Sequence, residues 1–165
     1  EGFIYVNSEV GKGTEFHLYL PLNERRKMQR TEDLALLSGN GELILVVDDE
    51  TAIQQIAETS LQDYNYRTIT ASDGVEAIAR YAEHKNEISV VLMDLLMPSL
   101  DGLTAIRALQ RLNPEVKIIA MSGFASNSQL AEAADMGIET FLLKPYTLKE
   151  LLTSLHSVIN LKYEV

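Results

Sequence analysis

From Glu42 onward, short apolar runs alternate with stretches in which apolar residues recur every three or four positions. Leu43-Ile44-Leu45-Val46-Val47 is an unbroken apolar run that stops at Asp48-Asp49-Glu50. Five residues are too few for a buried helix, and the β-branched content favours a strand covered on both faces. Ile53, Ile56, Ala57, Ser60 and Leu61 then fall on one face of a helix. Tyr66 to Thr70 predicts a second, more polar strand suited to a sheet edge. Val75, Ile78, Ala79 and Ala82 repeat the helical spacing after Ser72-Asp73-Gly74. Val90 to Met93 predicts a third strand that stops at Asp94, and Leu103, Ile106 and Leu109 a third helix closed by Asn113-Pro114. Val116 to Met121 predicts a fourth strand ending at Ser122-Gly123, followed by a short helix over Gln129 to Met136 that Gly137 ends. Thr140 to Leu143 predicts a fifth strand stopping at Lys144-Pro145, and Leu148, Leu151, Leu152, Leu155 and Ile159 mark a last helix.

Five strand–helix units in succession predict an α/β domain: a doubly wound, five-stranded parallel sheet with helices on both faces and right-handed crossovers. The first forty residues follow a different pattern. Residues 2–6 and 15–20 are largely apolar on either side of Asn7-Ser8-Glu9-Val10-Gly11-Lys12-Gly13-Thr14. This predicts a two-stranded β-hairpin with a glycine-rich connection, an appendage to the main domain.

Charge separates the same two parts. The chain carries a formal −10, with 14 basic and 24 acidic residues. Residues 1–40 hold five basic against six acidic side chains, so residues 41–165 hold nine against eighteen. A surplus of acid argues against nucleic acid as a partner, because that affinity comes from neutralising phosphates with Lys and Arg. Cysteine is absent, which excludes disulfides, thiolate metal sites and a cysteine nucleophile and fits a reducing, cytoplasmic setting. No apolar run reaches the roughly 18 residues of a membrane span, and no signal-peptide pattern is visible. The chain opens at Glu1 without methionine, as expected of a piece of a longer protein, whose membrane anchor, if it has one, would lie in a segment not present here.

The candidate chemistry lies at the ends of the predicted strands. Asp48 and Asp49 follow the first, Asp94 the third, Ser122 the fourth and Lys144 the fifth. Open parallel sheets bind ligands beyond the carboxyl ends of their strands, so these residues converge on one edge. Taken singly, each has an ordinary structural role. An aspartate after a strand caps a helix, Ser-Gly makes a turn, and a lone lysine is a solvated charge. Together they form a set. Two carboxylates ~4 Å apart repel by about 4 kcal/mol at an effective dielectric of ~20, so a cation is expected among them. Carboxylate oxygens without His or Cys suit Mg²⁺. A divalent ion, a lysine and a hydroxyl would also hold the three equatorial oxygens of a phosphoryl group in transfer.

Val46-Val47-Asp48-Asp49-Glu50, Met93-Asp94-Leu95-Leu96-Met97-Pro98 with Asp101-Gly102, Met121-Ser122-Gly123 and Leu143-Lys144-Pro145 together resemble the response-regulator receiver domain of two-component signalling, over residues 42–162. The resemblance implies a flavodoxin-like strand order of 2-1-3-4-5, with Asp94 as phosphoacceptor. It implies Mg²⁺ held by Asp48, Asp49, Asp94 and the backbone carbonyl of Leu96. It further implies Ser122 as the switch hydroxyl, Phe141 as the aromatic that follows it, Lys144 as the partner of the phosphoryl oxygens and a cis Lys144–Pro145 bond. Phosphorylation would then remodel the face made by the fourth helix, fifth strand and fifth helix. Family members often carry a polar side chain two residues beyond the phosphoacceptor and beyond the switch hydroxyl. Leu96 and Phe124 stand there, implying slow self-hydrolysis.

Gly2-Phe3-Ile4-Tyr5-Val6-Asn7-Ser8-Glu9, Gly11-Lys12-Gly13-Thr14-Glu15-Phe16 and Leu20-Pro21 resemble the last glycine box and final strands of a histidine-kinase ATP-binding domain. The earlier motifs that hold Mg²⁺–ATP have no counterpart, so this fragment is expected not to bind ATP. The resemblances imply a kinase tail over 1–22, a linker over 23–41 and a receiver over 42–162, the order of a hybrid sensor histidine kinase. The kinase core in cis and a histidine phosphotransfer domain are the implied partners, with no nucleic acid or membrane contact by the fragment. Whether the fragment counts as an enzyme is open: it would catalyse only its own phosphorylation and dephosphorylation.

Other readings compete. A non-phosphorylated pseudo-receiver would use the same face for docking. A different aspartyl-phosphate hydrolase would pair its nucleophile with an Asp two residues on, where Leu96 stands. A flavin site would be repelled by the acidic strand ends. His17, His84 and His156 show no carboxylate or second histidine at ligand spacing and read as surface residues.

Overall fold

The structure is a computed structural model that describes residues 2–21, 34–123 and 127–160. The chain forms two compact units, Glu1–Asp33 and Leu34–Val165. In the first, β1 (Phe3–Glu9) and β2 (Gly13–Tyr19) pair antiparallel in register from Phe3 opposite Tyr19 to Glu9 opposite Gly13. The hairpin is therefore longer than the apolar pattern suggests. Asn7, Ser8 and Glu9 continue the ladder, and the loop shrinks to Val10, Gly11 and Lys12. Gly11 and Gly13 make this possible with φ of 80° and 105°, in the left-handed region that side chains resist. Alternation puts Ile4, Val6, Phe16 and Leu18 on one face, and Phe3, Tyr5, His17 and Tyr19 on the other. The Phe3 and Tyr19 rings stack with centroids 4.6 Å apart.

The second unit holds β3 (Leu43–Val47), α1 (Thr51–Gln62), β4 (Arg67–Ala71), α2 (Gly74–His84), β5 (Ile88–Asp94), α3 (Gly102–Leu112), β6 (Ile118–Ser122), α4 (Asn127–Asp135), β7 (Thr140–Leu143) and α5 (Leu148–Asn160). The five strands make one parallel sheet in the order β4-β3-β5-β6-β7. This is the anticipated 2-1-3-4-5, with the polar second strand at an edge. Alternation along each strand divides the core in two. Leu45, Val47, Val91, Met93 and Ala120 face α2, α3 and α4 residues such as Ala77, Tyr81, Ile106 and Ala133. Ile44, Val46, Leu92, Ile119 and Leu142 face α1 and α5 through Leu61, Leu151 and Leu155.

Two helix faces differ from the sequence reading. The buried positions of α1 are Gln54, Ala57 and Leu61, while Ile56 is 64% exposed. Those of α2 are Gly74, Ala77 and Tyr81, leaving Val75, Ala79 and Ala82 exposed. Close packing explains the second shift. A Cβ at Gly74 would lie 2.9 Å from the Leu100 carbonyl oxygen, and the Tyr81 hydroxyl accepts a hydrogen bond from Asn113 Nδ2 (2.9 Å).

The unit also includes Leu34 to Gly41. Leu34 and Leu37 pack on the α1–α5 side of the core, and the Tyr66 hydroxyl donates to the Leu37 carbonyl (3.0 Å). Gly39 N–H donates to the Tyr64 carbonyl (2.9 Å), and Asn65 Nδ2 to the Gly39 carbonyl (2.8 Å). No helix among the described residues is long and apolar enough to cross a membrane.

Candidate functional site

Each parallel strand delivers its last residues to the same edge. Asp94 and Ser122 are the final residues of β5 and β6 rather than the first residues beyond them. Asp48 follows β3, and Lys144 follows β7. Asp48 is wholly buried, while Asp94 is 5% and Ser122 2% exposed; Asp49 is exposed. Carboxylate oxygens of Asp48, Asp49 and Asp94 all lie within 4.8 Å of one another. Lys144 Nζ reaches Asp48 Oδ2 at 2.6 Å and Asp94 Oδ2 at 2.5 Å. Burial would lower the Lys144 ammonium, but hydrogen bonds and charge from Asp48 and Asp94 outweigh it and hold its pKa above the ordinary lysine value.

Local backbone bonds set these side chains. Asp48 Oδ1 accepts from Glu50 N–H (3.0 Å) and Asp94 Oδ1 from Leu96 N–H (2.9 Å). The residue at the N-cap of α1 is Glu50, whose side chain makes no cap bond, so Asp48 orders a turn instead of capping the helix. Lys144 N–H donates to the Ser122 carbonyl (2.7 Å), and Lys144–Pro145 is cis as anticipated. Asp101 caps α3 by accepting from Thr104 N–H (2.8 Å). Gly102 is required by contact, since a Cβ there would lie 2.1 Å from the Asp94 carbonyl oxygen.

The charge balance of the donor set leaves room for a divalent cation. One ammonium among three carboxylates leaves two negative charges uncompensated. The Asp49 carboxylate has no hydrogen bond or ion pair among the described residues. Oxygen donors of this kind fit Mg²⁺. The predicted residues Asp48, Asp49, Asp94 and Lys144 are thus in one hollow, and Ser122 ends the adjacent strand. Leu96 is exposed just past Asp94. Phe141 is half-buried on β7, packed against the α2–α4 side of the core, and Phe124 lies outside the described residues. Beside Lys144, an open groove of about 620 Å³ is lined by Ile53, Ile56, Ala57, Pro145 and Tyr146.

Two details correct the sequence reading. His17 and His84 do have carboxylate neighbours, Glu15 at 3.3 Å and Glu87 at 3.4 Å, though each is a single surface pair. Gln54 was missed. Its side chain is buried on α1 and donates to the carbonyls of Asp48 (2.6 Å) and Ala71 (3.1 Å). The spacing 54-57-61 was the available signal, hidden because a polar residue on an apolar stripe counts against the stripe.

The family model described as response regulator receiver domain matches residues 44–156. The sensor kinase CckA of Brucella abortus (strain 2308) is 36% identical over 172 residues, an alignment that spans 96% of this chain and 18% of that protein. The response regulator MprA of Mycobacterium sp. (strain KMS) is 34% identical over 117 residues, spanning 71% of this chain and 50% of its own. The chain therefore matches half or less of these relatives. Among solved structures, a response regulator receiver domain protein from Clostridium thermocellum superposes with a TM-score of 0.69 at 30% identity, covering 72% of this chain and 94% of its own. The CheX–CheY–BeF3–Mg²⁺ complex from Borrelia burgdorferi gives 0.67 at 26%, covering 71% and 88%.

Proposed function

Since the chain belongs to the response regulator receiver domain family of two-component signalling, we propose that it accepts a phosphoryl group from a phosphohistidine onto Asp94. The observation that carries this reading is the Lys144 ammonium spanning Asp48 and Asp94 at the ends of three parallel strands. An Asp94 carboxylate oxygen attacks phosphorus in line, the P–N bond breaks, and the imidazole leaves with the electron pair while an acyl phosphate forms. Lys144 and the Ser122 hydroxyl hold phosphoryl oxygens. Asp48, Asp49, Asp94 and the Leu96 carbonyl would hold Mg²⁺, which supplies positive charge where negative charge develops. The solved relative that contains BeF3 and Mg²⁺ supports the choice of ion. Ser122 moving toward the new group makes room for Phe141, and the α4–β7–α5 face shifts between two packings.

The hairpin is the tail of a kinase ATP-binding domain (1–22), joined through residues 23–41, of which 34–41 pack within the second unit, to the receiver (42–162) of a cytoplasmic hybrid sensor kinase. The alignment with a sensor kinase over nearly the whole chain supports that order. The phosphoryl group is exchanged with the kinase core in cis or with a histidine phosphotransfer domain. The fragment itself binds no ATP.

Incubation with acetyl phosphate and Mg²⁺ is expected to add one phosphoryl mass to the chain, and Asp94→Asn to abolish it. No addition, and no response to beryllofluoride with Mg²⁺, would favour a pseudo-receiver that only docks. Leu96→Asn should speed the decay of phospho-Asp94 by giving water a polar partner beside the acyl phosphate. An unchanged decay rate would remove Leu96 from that role.

A further inference from the structure

We propose that Gln54 is a positioning residue of the acidic site, holding the Asp48–Asp49 peptide so that both carboxylates point into the metal hollow. The inference rests on the Mg²⁺ reading above. Asp49 is exposed and no described residue bonds its carboxylate, so its direction depends on its own backbone. That backbone is pinned at three places. Asp48 N–H donates to the Ala71 carbonyl (3.1 Å), at the end of β4. The Glu50 carbonyl accepts from Ile53 N–H (2.9 Å) and Gln54 N–H (3.1 Å). Between them lies the peptide joining Asp48 to Asp49, and its carbonyl oxygen is held by Gln54 Nε2 at 2.6 Å.

The chemistry requires an amide here. Nε2 carries two hydrogens, and two carbonyls converge on it, from Asp48 and Ala71. The flipped amide would set its oxygen against both carbonyl oxygens, so the orientation is fixed by the acceptors. Gln54 is 9% exposed, and removing its donors would leave the Asp48 carbonyl without this partner in a place where solvent cannot easily replace it. The Asp48–Asp49 peptide would then turn to find another donor and carry both side chains with it. Groups that orient metal ligands typically alter affinity tenfold or more when lost.

The test is Mg²⁺ titration calorimetry on the full chain, comparing wild type, Gln54→Met and Gln110→Met. Methionine keeps the length of the side chain and removes the donors. Gln110 is the matched control, since its Nε2 also donates to a carbonyl, that of Met136 at 2.8 Å, between α3 and the end of α4. Gln54→Met should weaken Mg²⁺ by roughly tenfold, while Gln110→Met, brought to comparable thermal stability in EDTA, leaves it unchanged. Equal Mg²⁺ affinity in the two variants overturns the proposal and leaves the function intact. A wild type that takes up no Mg²⁺ overturns both. Should Gln54→Met fail to fold, hydrogen exchange of the wild-type side-chain amides decides. Gln54 should be protected and should shift on adding Mg²⁺, and exchange as fast as that of exposed Gln55 overturns the proposal.

Discussion

Phe3-Ile4-Tyr5-Val6 and Leu43-Ile44-Leu45-Val46 are comparably apolar, and both form strands. Every residue of β1 is exposed, whereas every residue of β3 is buried. β1 has one neighbouring strand; β3 lies between β4 and β5 with helices over both faces. Apolar pattern therefore reports which backbone a segment adopts, while cover depends on what the rest of its own unit brings to it. The charges repeat the contrast. Lys12 and Glu9 are 2.8 Å apart on an exposed hairpin loop, where water and salt screen them and such pairs contribute at most about 1 kcal/mol. Lys144 and Asp48 are 2.6 Å apart in a hollow where Asp48 is wholly buried, and there the same geometry governs charge and chemistry.

The contrast is most exposed to refutation through deletion of apolar side chains. Leu92→Ala, in the centre of the parallel sheet, is expected to cost about 2–5 kcal/mol by denaturant unfolding. Ile4→Ala should stay within about 0.5 kcal/mol, as for other exposed sites. Equal costs would mean that exposure does not separate the two units. A smaller effect distinguishes the two kinds of glycine. Gly102→Ala forces a methyl onto the Asp94 carbonyl and should cost about 1–3 kcal/mol, and it should also slow phosphoryl uptake from acetyl phosphate. Gly11 has open space around it, so Gly11→Ala loses only about 1 kcal/mol through its positive φ and leaves uptake unchanged. The smallest effect tests Tyr66, whose pKa is raised first by burial and then by Glu42. Neutral Tyr66 is thus favoured in the fold. Its contribution is complete below the ordinary value of 10.0 and lost as pH rises through the higher folded value. Tyr66→Phe should remove the bond to Leu37, cost about 1 kcal/mol at neutral pH, and flatten the loss of stability above pH ~10. An unchanged alkaline slope would dismiss Tyr66 as its source.

Strand bounds at Leu43–Val47 and Thr140–Leu143 were legible because the first run is apolar throughout, the second is apolar after a β-branched threonine, and both stop at charge. The acidic hollow was legible for the same reason, since its residues sit where apolar runs end. Helix faces were less so. Ile56 looks like core yet borders the groove, and Gln54 looks like surface yet is buried, because two carbonyls, one just past β3 and one at the end of β4, that no local pattern encodes require a donor there. Residues 34–41 read as linker because their anchors are side chains and backbone groups near Tyr66, distant along the chain. Ser8, Glu9 and Gly13 look like turn residues, and they join the hairpin because a backbone ladder needs no apolar side chain.

Lys144 has three protons on its nitrogen, and two of them are directed at Asp48 and Asp94. In the proposed function the third would meet an arriving phosphoryl oxygen without first surrendering either aspartate. The lysine thus gains its ligand by adding a bond at its tip, and the rearrangement falls to the groups around it, Ser122 and Phe141.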